Sequence, residues 1–229
     1  MKDAPEKKSG RNGIMIDDAY QKIKEMIYYN QLAPGQKLIY SALAKKLNKS
    51  VTPVIQALNR LENARLVTYV PNKGFFVGEI TETEAVQLYQ AREALEIYIL
   101  PSIMENLTPA VVDEIKDTFK RYEGSNRRML FLHDAQFHLK MVEYARNDVI
   151  HQLLKDIFER IFLKYRPEFL DNVVAKAAIK EHREILNAMK NGDLAAATAL
   201  VKGHTEFGLA RIVESIRSRS SESAQYFKL

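Results

Sequence analysis

The sequence predicts a mainly α-helical chain in two parts, on three observations. Two short helices with apolar stripes and a pair of short strands fit into residues 34–77, strand signals become scarce beyond Gly78, and segments of helical period then follow one another to about residue 218. The first part reads as a winged helix-turn-helix and the second as an all-helical bundle of about six helices.

Residues 1–13 are polar and charged without an apolar core, which predicts a flexible arm and not a signal peptide. Within residues 14–78, Pro34-Gly35 is a turn, and residues 41–48 form a short helix through Leu43, Ala44 and Leu47. Thr52 before Pro53 reads as an N-cap with proline at the first helical position. Val54, Ala57, Leu58 and Leu61 make one stripe, leaving Thr52, Ile55, Gln56 and Asn59 on the opposite, solvent-facing side, where a major groove would lie. Strands at 66–69 and 75–77 flank Pro71-Asn72-Lys73-Gly74, a basic tip suited to phosphates or a minor groove.

Charge follows the same division. Residues 1–78 hold 13 Lys and Arg against 6 Asp and Glu, whereas residues 79–229 hold 21 against 23. A basic part joined to a slightly acidic one argues for one nucleic-acid surface and one sensing or assembly surface. Lys45, Lys46, Lys49 and Lys73 are the expected phosphate contacts. The chain has no cysteine, which excludes disulfides and thiolate chemistry and leaves His, Asp and Glu as metal donors. No apolar run approaches the roughly 20 residues that a bilayer requires, so a cytoplasmic protein with no membrane partner is expected.

The second part, residues 79–218, predicts helices at 83–105, 109–123, 126–145, 148–165, 173–191 and 193–218, with a mobile tail at 219–229. Pro101 should kink the first of them. Asp134 and His138, four apart, share one helix face. His182 lies on the stripe of Ala178, Ile185 and Met189, and His204 on that of Ala197, Val201 and Gly208. Burying an aspartate and three histidines without a common partner would be costly, and a divalent metal supplies that partner. Imidazole suits zinc, nickel, iron and copper, and one carboxylate with three imidazoles does not by itself choose among them; zinc or nickel is the expectation carried forward. His133 and His151 read as ordinary surface or packing residues.

Between Pro34 and Val77 the chain carries a PG turn, Leu43-Ala44, Ser50-x-Thr52-Pro53-Val54, Ala57-Leu58-x-x-Leu61 and Lys73-Gly74-x-x-Val77. In order and spacing these resemble the signature of the GntR family of bacterial transcription regulators. The resemblance implies double-stranded operator DNA as partner, with Ser41, Lys49, Ser50, Val51, Thr52, Ile55, Gln56, Asn59, Lys73 and Gly74 at the interface. Family members usually carry arginines where Ser41, Val51 and Ile55 stand here. Arginine pairs bidentately with guanine, so their absence puts the usual operator sequence in doubt. Asp134, His138 and Asn147, then His182-x-x-Ile185-Leu186-x-Ala188-Met189-x-x-Gly192-Asp193, then His204, resemble the FCD ligand-binding domain of the FadR/VanR branch, closest to its VanR-like subgroup. That resemblance implies a metal held by Asp134, His138, His182 and His204 and a small carboxylate effector.

Arg92 shares a stripe with Leu88, Leu95 and Ile99, where a guanidinium needs a carboxylate. Glu96, one turn along, is one candidate; an organic or amino acid effector bridging Arg92 and the metal is the other. A homodimer is expected, since one recognition helix reads few base pairs. The sequence thus describes an effector-controlled transcription regulator and not an enzyme. The alternatives are a metal-dependent hydrolase or isomerase, and an effector sensor with degenerate operator binding.

Overall fold

The computed structural model of the chain describes residues 6–119, 127–165 and 173–226, and the side chains of residues 13–119, 130–165 and 177–218. It divides into two compact units, Met1–Glu79 and Ile80–Leu229.

In the first unit the order is α1 (Glu6–Tyr28), β1 (Lys37–Leu38), α2 (Tyr40–Lys46), α3 (Val51–Asn63), β2 (Val67–Val70) and β3 (Gly74–Val77). Ala19, Ile23 and Ile27 of α1 and Val54, Ala57, Leu58 and Leu61 of α3 are fully buried, so two helical stripes form the core. The helix α1 reaches back to Glu6, into residues expected to be an arm; they are polar and carry no stripe that would have announced it. A backbone turn at Asn48, with positive φ, closes α2: Lys49 donates its N–H to the Ala44 carbonyl. The start of α3 differs from expectation. Ser50, not Thr52, is its N-cap, and Pro53 falls inside the first turn, where no intrahelical acceptor awaits its missing N–H. The sheet is antiparallel in the order β1-β3-β2, pairing Leu38 and Tyr69 to either side of Phe75. Asn72 and Gly74 take positive φ at the tip of the β2–β3 hairpin.

The second unit is helical throughout its described residues: α4 (Glu82–Glu105), α5 (Pro109–Asp117), α6 (Arg127–Glu143), α7 (Asp148–Lys164), α8 (Val173–Lys190) and α9 (Leu194–Tyr226). Side-chain oxygens of Thr81, Thr108 and Asn147 accept N–H bonds from Glu84, Val111 and Ile150 and so cap α4, α5 and α7. Pro101 stands on the exposed side of α4, which continues to Glu105. The expected end of α5 near 123 and the start of α6 at 126 lie outside the described residues. α9 runs past the expected stop at 218 to Tyr226. Ile99, Ile103, Ile115, Phe137, Leu154, Ile185 and Val201 belong to one apolar core contributed by all six helices. Among the described residues no helix is long and apolar enough to cross a membrane.

Candidate metal centre and nucleic-acid interface

Helical periodicity places Asp134 and His138 on one face of α6, His182 on α8 and His204 on α9, and the bundle closes these faces on one point. One donor atom from each lies within 4.8 Å of all the others. Asp134 Oδ1 stands 3.1 Å from His182 Nε2, 3.3 Å from His204 Nε2 and 4.0 Å from His138 Nε2. Nε2 of His204 is in turn 3.0 Å from that of His138 and 3.4 Å from that of His182. All three imidazoles are buried.

Carboxylates on the far side of two rings determine what these nitrogens carry. His204 Nδ1 donates to Glu181 Oε2 at 2.7 Å, and His138 Nδ1 lies 2.8 Å from Glu96 Oε2, close but poorly aligned for a hydrogen bond. With a proton drawn to Nδ1, Nε2 of His138 and of His204 is the nitrogen turned toward the other ring and Asp134, the atom that becomes a donor when deprotonated. Four electron-rich atoms at this spacing suit a cation at their centre. Donors about 2.1 Å from one ion in tetrahedral or octahedral arrangement stand roughly 3.0–3.4 Å apart as neighbours. The His204 nitrogen meets that spacing with Asp134, His138 and His182, as does Asp134 with His182, while Asp134 and His138 stand wider at 4.0 Å.

The surroundings hold the rings in place and keep them dry. Phe137 stacks on His182 at 4.0 Å between centroids, and Phe158 lies beside His138. Burial pushes the His182 pKa down to about 3, against the pull of Asp134, so its imidazole is neutral at physiological pH. His138 is also lowered by burial, only partly opposed by Glu96. For His204 burial is outweighed by Asp134 and Glu181, leaving it at about 9. Burial would raise Asp134 and Glu96, but Arg92 with the histidines holds Asp134 well below the usual carboxylate range, and His138 with Arg92 holds Glu96 at about 2.

Arg92 is 1% exposed. Its Nε donates to Glu96 Oε1 at 2.8 Å and its Nη2 lies 3.5 Å from Asp134 Oδ2, too far and misaligned for a hydrogen bond. Both readings of Arg92 therefore meet here: it pairs with Glu96, and one of its nitrogens is left unsatisfied at the wall of a pocket. That pocket encloses about 650 Å³ when the open solvent at its mouth is included. Asp134, His204 and Glu181 line it beside Arg92, with Leu130, Phe131 and Ile212 as an apolar wall. Sequence reasoning missed Glu181, which sits one residue off the His182 stripe, and Arg211, which lines the same pocket. Seven residues after His204, Arg211 repeats its helix face, a signal the sequence does contain. His133 is buried against Gln136 and His151 is half-buried, both away from the four donors. Asn147, part of the family-like pattern, caps α7.

In the first unit, Ser41, Ser50, Thr52, Gln56 and Asn59 are exposed, as are Lys45, Lys46 and Lys73; Gly74 is half-buried in the hairpin. Val51 is exposed, but Ile55, expected on the solvent side, is half-buried. Lys49 also departs from expectation, its Nζ lying 2.7 Å from Asp18 Oδ2 on α1, so its charge is matched within the unit.

A family described as FCD domain matches residues 87–207, and one described as bacterial regulatory proteins, gntR family, matches residues 15–77. An uncharacterized HTH-type transcriptional regulator in an unstable DNA locus of Streptomyces ambofaciens is 28% identical over 90% of this chain and 87% of its own length. The HTH-type transcriptional regulator McbR of Escherichia coli is 25% identical over 75% of the chain and 80% of its own. The solved structure of E. coli McbR/YncC superposes with a TM-score of 0.71 at 20% identity, covering 88% of this chain and 98% of that one, which shows the shared fold.

Proposed function

The chain belongs to the GntR family of bacterial regulatory proteins and carries an FCD domain, and on that premise we propose that its operator binding is controlled by a small organic or amino acid carboxylate bound beside a divalent metal. Membership makes it a DNA-binding transcriptional regulator; the metal, the effector and the interface residues are the inference. The metal and effector rest on one observation, the inward-facing imidazole nitrogens that meet Asp134 at the edge of a pocket.

Asp134, His138, His182 and His204 would hold the ion; the donor set suits zinc, nickel, iron or copper alike, and zinc or nickel is our reading. When bound, it would supply a fixed positive charge for a carboxylate oxygen. The remaining work belongs to the chain itself. Glu181 and Glu96 keep the protons of His204 and His138 at Nδ1, Phe137 stacks on His182, and Arg92 offers its unsatisfied Nη2 to the same anion.

On the DNA side, exposed Thr52, Gln56 and Asn59 of α3 supply hydrogen bonds to bases, with Ser41, Ser50 and Gly74 beside them. Gln56 and Asn59 suit adenine, and the accessible edges of Val51 and Ile55 suit thymine methyls. Lys45, Lys46 and Lys73 supply phosphate contacts, and Lys49 joins them when it leaves Asp18. We read the protein as a cytoplasmic homodimer without catalytic activity, because two half-sites multiply specificity and its named relatives are transcriptional regulators. We read the bundle as of the VanR-like subgroup, as the sequence resemblance implies.

Selection of bound DNA from the source genome, joined to elemental analysis, tests this reading. An inverted repeat and about one divalent ion per chain are expected, the ion being lost in the His182→Ala, His204→Ala double variant. Equal affinity for selected and scrambled duplexes across a range of salt overturns operator recognition. Unchanged metal content in the double variant overturns the donor assignment.

A further inference from the structure

Two guanidinium groups face the pocket, and they differ in what neutralises them. Arg92 is enclosed by Glu96 and Asp134. Arg211 is half-buried on α9, and among the described residues no carboxylate lies within ion-pair distance of it. The Phe207 ring lies 5.4 Å from its guanidinium carbon, and the phenols of Tyr165 and Tyr89 and, from beyond ion-pair distance, the carboxylates of Asp134 and Glu181 act on it. For Arg92, burial is outweighed by Glu96, which raises its pKa; for Arg211 burial prevails and lowers it. Asp134 and Glu181 offset the cost of that burial only from beyond ion-pair distance, which leaves Arg211 able to take an anion from outside in direct contact.

The spacing between the donor cluster and Arg211 is set by α9. His204 and Arg211 lie on one face, about 10 Å apart along the helix axis. Between them stands Gly208, where a Cβ would come within 3.0 Å of the Tyr89 ring. The lining between the two ends thus includes bare helix at Gly208 and the edge of Tyr89, with Leu130, Phe131 and Ile212 among its apolar residues. Once the reach of an arginine side chain is subtracted, this is the span of a short chain of methylenes with a charge at each end.

We propose that Arg211 takes a second carboxylate, so that the effector is a short diacid. One carboxylate lies at Arg92 and the Asp134–histidine end, the other at Arg211, and the methylene body lies on the apolar wall. This rests on the effector reading given above and narrows it from carboxylates in general to those with two charged ends.

The test is calorimetric titration of the full-length, metal-loaded protein with succinate against butyrate and with adipate against hexanoate. In the parent protein at least one diacid is expected to bind about tenfold more tightly than the monoacid of equal length. Arg211→Met should bring that ratio to about one, and Arg211→Lys, which keeps a cation, should retain part of it. Monoacids binding as tightly as diacids to the parent overturns the inference while leaving the carboxylate reading in place. So does a ratio that survives Arg211→Met. Failure of all four acids to bind the parent overturns the carboxylate reading together with this one.

Discussion

Two glycines of α9 separate helix propensity from pocket shape. Gly203 is exposed and a Cβ there meets nothing within 4 Å, whereas at Gly208 it would press on the Tyr89 ring. Gly203→Ala is therefore expected to stabilise the protein by about 0.5–1 kcal/mol, through propensity alone. Gly208→Ala gains the same propensity but must displace a buried ring at the pocket wall, so it should stabilise less and weaken effector binding. Denaturant melts of both variants with carboxylate titrations check this; equal stabilisation and equal affinity would contradict the packing at Gly208. At the same scale, Gln56→Ala should relax specificity at particular base pairs, and Lys73→Ala should weaken binding to all sequences and lower its salt dependence. Binding measured across operator variants at several salt concentrations distinguishes the two.

Helix α4 shows how elements are fastened and what was readable in advance. Glu84 in its first turn pairs with Arg160 and Lys164 of α7, and the Lys164 side chain is nearly buried. Burial would raise the Glu84 pKa, but those two cations lower it below its ordinary 4.5. The pair's contribution is thus complete above about pH 4.5 and is lost as the pH falls through the lower, folded-state value. Glu84→Gln should cost on the order of 1–3 kcal/mol near neutrality and flatten this part of the acid limb, as unfolding free energy against pH will show. The bundle helices were legible because their stripes are long and their caps, at Thr108-Pro109 and around Gly192, are explicit. The start of α3 was displaced because proline is tolerated anywhere in a first turn, and β1, of two residues, has no alternation to read. Periodicity put the four polar donors on inward faces, but Glu181 lies off its stripe and is joined to His204 only by the packing of α8 on α9. Lys49 could not be separated from the other surface lysines until α1 placed Asp18 beside it.

For the whole molecule, the division at Glu79 and Ile80 makes a calorimetric prediction. Chelation should lower the melting transition of the helical unit, where the four donors lie, and leave that of the winged unit in place. A shift of both, or of neither, would contradict a metal confined to the bundle. The order of residues along the chain has a further consequence, for the time at which each capacity appears. Synthesis runs from the N-terminus, and the winged unit is contiguous, so it is complete once Glu79 has emerged. The donor set closes only with His204, and the pocket with Arg211 and Ile212, all on α9. On the proposed reading, a nascent or prematurely ended chain therefore has its winged unit before it can answer to an effector, and a nonsense mutation ahead of α9 would leave a reader deaf to its signal.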